Sequence, residues 1–124
     1  MLSRLHDLAT HCEIILQDQD MLTDEQQLFT QTILENIHRF QALLTPVIDA
    51  LDNHQPGDPF PGDMHDIRTP LVSLIGYSDI LSAGVVGDLA PAHQERFALI
   101  LSESRLLRDE MEQVYQRVNI QLGE

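Results

Sequence analysis

Apolar residues recur every three or four positions along almost the whole of this 124-residue chain. No stretch alternates apolar and polar with the period of two that a half-buried strand requires. Leu2, Leu5, Ala9, Cys12 and Leu16 mark a first helix ending near Gln17. Thr23 and Gln26 have the spacing of a capping box, and the helix they open should bury Phe29, Ile33, Ile37, Phe40, Leu44, Val47 and Leu51. Pro46 falls inside that stripe and should kink or restart the helix, with Thr45 as the new cap. Residues 53–62, rich in proline and glycine, cannot continue a helix and form a linker.

The spacing predicts a third helix after the linker, capped by Asp63, or by Asp58 with Pro59 at its first position. Met64, Ile67, Leu71, Leu74, Ser78 and Leu81 form its core stripe. Gly84 and Gly87 turn the chain, and Pro91 suits the first turn of a fourth helix. That helix should bury Phe97, Ile100, Ser104, Leu107, Met111, Val114 and Val118. The expected fold is therefore all-α: an antiparallel four-helix bundle of two helical hairpins, residues 1–52 and 63–122, in one domain. His6-Asp7-x-x-Thr10 and His65-Asp66-x-x-Thr69 open the two hairpins 59 residues apart, and Phe29–Glu35 can be laid on Phe97–Glu103. The first hairpin is either a degenerate copy of the second or a chance match between two heptad-rich hairpins.

Composition narrows the function. Seven basic residues, all arginine, face 20 acidic ones, a net charge of −13 that argues against nucleic acid or anionic lipid as a partner. Without lysine there is no Schiff-base chemistry and no P-loop lysine. Cys12 is alone and lies on an apolar helix face, which points to packing. The first residues lack a signal-peptide core, and no window approaches the ~18 apolar residues of a membrane span, so the chain reads as cytoplasmic.

The chemistry concentrates in His65-Asp66-Ile67-Arg68-Thr69-Pro70-Leu71. On a helix, His65 and Thr69 share a face, with Asp66 one step round. A neutral imidazole nitrogen can attack a phosphoryl group, a carboxylate can orient the ring or take its proton, and a hydroxyl can position water. Taken alone, a His-Asp pair in a first helical turn is an ordinary surface pair, with Asp66 favourable to the helix dipole. The surrounding residues shift that reading. The run resembles the phosphoacceptor box of the dimerisation and histidine-phosphotransfer domain of sensor histidine kinases. The resemblance extends through Gly76-Tyr77-Ser78-Asp79-Ile80-Leu81, the turn Gly84-Val85-Val86-Gly87-Asp88-Leu89, and Gln94 to Leu107.

This resemblance implies that His65 receives the phosphoryl group, that Asp66 is the acid/base of the transfer, and that Thr69 assists the reverse, phosphatase reaction. Arg68 is a candidate partner of phosphate oxygens, and Pro70 should bend the helix just below His65. The implied partners are a response-regulator receiver domain and a kinase ATP-binding domain, the latter supplying ATP and Mg; the chain itself shows no cofactor or metal ligands. Ser73 and Tyr77 are candidate docking contacts. Two departures stand out. Pro59, Pro61 and Gly62 interrupt the long helix that normally enters such a box, and neither an asparagine-rich box nor an Asp-x-Gly-x-Gly run follows Leu122. The chain is then either an excised piece of such a kinase or a small protein that passes or accepts phosphate in trans, as a monomeric pseudo-dimer or a homodimer. The competing reading is a catalytically silent bundle that docks a regulator or kinase.

Overall fold

The capping box at Thr23 forms as the spacing requires. Thr23 Oγ1 accepts from the Gln26 amide at 3.1 Å, and the Thr23 amide donates to Gln26 Oε1 at 2.9 Å. This is a computed structural model describing residues 1–57, 59 and 64–123, with side chains given for all of these except 64, 65 and 121–123. Its α-helices are α1 (Leu2–Gln17), α2 (Asp24–Asp52), α3 (Met64–Ser82) and α4 (Pro91–Gly123), with a short 3₁₀ turn at Gln19–Met21. No strand occurs among the described residues. The helices pack as a bundle: α1 lies against α2 and α4, and α3 lies against α2 and α4. No described helix is long and apolar enough to cross a membrane.

The core follows the three-four period closely on α2 and α3. Ile33, Ile37, Phe40, Leu44, Val47 and Leu51 are buried, as are Ile67, Leu71, Leu74, Ser78 and Leu81. Core serines are tolerated because each hydroxyl donates to the carbonyl one turn back, Ser78 to Leu74 and Ser104 to Ile100. On α1 the stripe is turned from the expected phase: Leu8 and Ile15 are buried, whereas Leu2 and Leu16 are only half-buried. On α4, Tyr115 is buried and Val114 half-buried. At the start of α2, Gln26 and Thr30 take the core positions and Phe29 is half-buried.

Pro46 does not restart α2, which runs on to Asp52, and Thr45 does not cap a new helix. The Thr45 hydroxyl donates instead to the Gln41 carbonyl at 2.8 Å. An interior proline costs about 3 kcal/mol. Phe40, Leu44, Val47 and Leu51, buried on both sides of it, each contribute about 1.5–3 kcal/mol and outweigh that cost. Likewise α3 continues through Pro70. Pro59 is not helical, so it does not open α3. Asp58 and Asp63, the expected caps, lie outside the described residues, as do Pro61 and Gly62.

Two long-range contacts join the turns to the helix starts. Buried Gln26 donates from Nε2 to the Asp88 carbonyl at 3.1 Å, across the turn between α3 and α4. That turn needs Gly87, whose φ is +113°, and a Cβ there would meet Gln26 Nε2 at 3.2 Å. At the other connection, buried His93 in the first turn of α4 brings Nε2 to 3.0 Å from Asp18 Oδ2. Arg4 joins α1 to α4 by pairing with Glu103 and, at 2.6 Å, with Glu110.

The burial pattern corrects one alignment. Buried positions of α1 map onto α3 at a shift of 59: Leu8 on Ile67, Cys12 on Leu71, Ile15 on Leu74. Those of α2 map onto α4 at a shift of 67, with Ile33 on Ile100, Ile37 on Ser104, Phe40 on Leu107, Leu44 on Met111 and Leu51 on Val118. Laying Phe29 on Phe97 is one residue out of register, a rotation of about 100° that would bring solvent-facing residues into the core. Thr30, not Phe29, matches buried Phe97.

Candidate functional site

The box opens α3, with His65 as its second residue. Helical periodicity then sorts the following side chains. Ile67, Pro70 and Leu71 turn inward and are buried, whereas Asp66, Arg68 and Thr69 are exposed. The expectation that His65 itself faces water concerns a side chain outside the described residues. The geometry of the site is therefore that of a polar outer face on an apolar anchor: a carboxylate and a hydroxyl three residues apart, in water.

Arg68 reaches to α4 on one flank. Its guanidinium carbon lies 4.2 Å from the centre of the Tyr115 ring, and Nη2 lies 3.6 Å from Glu112 Oε1. The cation over the ring face is an attractive electrostatic arrangement, and guanidinium planes suit it better than ammonium groups. Burial pushes the Tyr115 hydroxyl above its ordinary pKa, with Arg68 acting in the opposite sense. Below the pair a groove of about 140 Å³ runs between α3 and α4, floored by Leu71, Ile75 and Met111 and edged by Val72 and Arg108. Arg68 was a candidate phosphate partner; in the bundle it is already held by two groups of α4.

The candidate docking contacts lie on the other flank. Tyr77 is half-buried, its ring 5.2 Å from that of Phe29 on α2 at an angle of 58°. Ser73 is also half-buried. His6 and Asp7 are exposed at the equivalent place on α1, where the Thr10 hydroxyl donates to the His6 carbonyl at 3.0 Å. There Ala9 and His11 stand in place of Arg68 and Pro70. His11 is engaged elsewhere, its Nδ1 3.0 Å from Arg96 Nη1 on α4.

No group of three or more His, Cys, Asp or Glu side chains placed to hold a metal ion occurs among the described residues. Cys12 is buried, and burial, with a smaller effect of Glu13, pushes its thiol up to about 12, so it is neither a nucleophile nor a ligand at neutral pH. Sequence reasoning missed Glu112, Arg108 and Tyr115. Only Tyr115 left a signal, an aromatic beside the expected core position Val114. No protein-family model, curated protein or solved structure matches the chain.

Proposed function

We propose that the chain is a phosphotransfer module of two-component signalling, in which His65 accepts or relays a phosphoryl group to and from a receiver aspartate. The observation that carries this reading is the sorting of the box on α3: Asp66 and Thr69 in water, Ile67, Pro70 and Leu71 inside. A docking partner can reach the polar members while the apolar ones hold the helix. The helix contacts are compatible with the two-hairpin bundle that the resemblance implies, since each of α1 and α3 touches both α2 and α4. The shared burial register of the two helix pairs gives it further support.

In the transfer, an imidazole nitrogen of His65 attacks the phosphorus of the receiver's aspartyl phosphate. The acyl oxygen–phosphorus bond breaks and the aspartate leaves as carboxylate. The proton on the other ring nitrogen passes to Asp66, the adjacent base. In the reverse sense Asp66 returns the proton as the phosphoryl group departs, and Thr69 positions water for hydrolysis. The receiver supplies the divalent ion. On this chain nothing else is required of the site than an open imidazole, a base and a hydroxyl.

The test is phosphoryl transfer from a labelled receiver. Acid-labile label should appear on the native chain and be absent from His65→Gln. Asp66→Asn should slow its appearance about 10²–10⁴-fold, the usual contribution of a positioned base. If no receiver or kinase catalytic domain labels the native chain, the module is a silent docking bundle instead.

A further inference from the structure

The first turns of α3 contain a proline that cannot complete the backbone ladder. The first N–H groups of any helix lack an intrahelical acceptor, and Pro70 has no N–H to give to the Asp66 carbonyl. Among the described contacts at the α3 start, Ile67 and Leu71 are buried on one face and Arg68 meets α4 on another.

We propose that Tyr115 and Glu112 are positioning residues, which through Arg68 clamp the first two turns of α3 and so set the geometry of the box. The ring of Tyr115 is itself immobilised, being 3% exposed at the end of the core. It offers a rigid surface on which the guanidinium lies, and Glu112 closes the open side. In this arrangement the box takes its orientation from α4. The mechanical part of the proposal stands on described contacts alone; its consequence for phosphoryl transfer rests on the function proposed above.

Amide hydrogen exchange separates the two. In Tyr115→Leu, the amides of Arg68, Thr69 and Leu71 should exchange about tenfold faster, the size expected for loss of a partly desolvated cation–π contact, while those of Ile37 and Phe40 stay unchanged. Tyr115→Phe keeps the ring face but loses the hydroxyl that interacts with Arg68, and should recover most of the native protection. Glu112→Gln should quicken it about twofold, as befits an exposed pair. Labelling of His65 by a phosphorylated receiver should fall in Tyr115→Leu through the maximal rate and not the half-saturating receiver concentration, and recover in Tyr115→Phe.

Unchanged exchange at Arg68 to Leu71 in a folded Tyr115→Leu chain would overturn the clamp. So would a Phe variant no better than the Leu variant. If Tyr115→Leu fails to fold, Arg68→Gln, which alters an exposed side chain, carries the same exchange test: faster exchange at Thr69 and Leu71 supports the clamp, and native exchange there overturns it. Exchange that responds as expected in a chain that no donor labels would keep the clamp and dispose of the phosphotransfer reading.

Discussion

The two helix pairs share a core register but not a surface. On α3 and α4 the outer groove carries Arg68, Arg108, Glu112 and Tyr115. Shifted back by 59 and 67 residues, the same positions on α1 and α2 are Ala9, Gln41, Thr45 and Ile48. Ala9 is buried, Ile48 half-buried, and the Thr45 hydroxyl donates to the Gln41 carbonyl. One pair thus presents a cation clamped on an aromatic ring; the other presents packing. The pattern of burial is what four helices need to stay together, and either pair can supply it. The His-Asp-x-Arg-Thr-Pro run and the Arg68–Tyr115 contact lie on the second pair.

If both pairs contribute equally to one core, equivalent truncations should be felt by the whole molecule. Phe40 and Leu107 occupy matching positions and are both fully buried. Phe40→Ala should cost about 3–5 kcal/mol and Leu107→Ala about 2–5 kcal/mol. Each should shift one cooperative urea transition seen alike by helix and by aromatic signals. Two separated transitions in either variant would show the pairs to be independent units and break the comparison at its root.

A second test uses a position where the pairs differ chemically inside the core. Cys12 matches Leu71, and both are buried. Burial raises the Cys12 pKa from 9.0 to about 12. Below pH 9 the thiol is protonated whether folded or unfolded, and it has no effect on pH dependence. Between 9 and about 12 only the unfolded chain ionises, so stability should fall by about 1.4 kcal/mol per pH unit, levelling off above the folded value. Denaturation at pH 8, 9.5 and 10.5 checks the slope, and Cys12→Ala should remove it. A slope that survives the substitution assigns the effect to other groups.

How far the sequence disclosed all this depends on the kind of information. The α2 stripe from Ile33 to Leu51 could be read directly, because its apolar residues recur at one helical phase. On α1 the adjacent pairs Leu8-Ala9 and Ile15-Leu16 fit the period in two phases, and only the facing helices choose between them. Val114 and Tyr115 pose the same ambiguity on α4. Pro46 misled because local propensity ignores the burial on either side of it. The sorting of the run on α3, Asp66 and Thr69 outward and Ile67 and Leu71 inward, was legible from helical spacing. The clamp was not: it joins residues more than forty positions apart, and such pairing follows from the register of two helices, which local spacing does not carry.

The connections give a smaller contrast. The turn between α3 and α4 needs positive φ at Gly84 and Gly87, whereas the α1–α2 connection uses a 3₁₀ turn of ordinary residues. Gly87→Ala should cost about 1–2 kcal/mol, combining left-handed strain with pressure on Gln26 Nε2. Gly57, with φ +90° but nothing within 4 Å of a Cβ, carries strain alone and should cost less under the same thermal melt. Equal losses would mean that the Gln26 contact relaxes freely.

The smallest expected effect is the sharpest comparison. Gln26 and His93 are matching positions at a shift of 67, each buried in the first turn of its helix and each directed at the other pair's connection. Gln26 is satisfied on both sides, by the Thr23 amide and the Asp88 carbonyl. His93 is not: Nε2 sits 3.0 Å from Asp18 Oδ2 without hydrogen-bond alignment, and Nδ1 has no hydrogen-bond partner among the described residues. A buried polar atom without a hydrogen bond costs stability, and an apolar replacement of similar size relieves that cost. Gln26→Leu should therefore destabilise by about 1–3 kcal/mol, since it breaks the capping box and strands the Asp88 carbonyl. His93→Leu should be neutral or stabilising by up to about 1 kcal/mol, read as an unchanged or higher urea midpoint at pH 7. A clear loss of stability in His93→Leu would mean that its pairing with Asp18 holds α4 against the first connection as firmly as Gln26 holds α2 against the second.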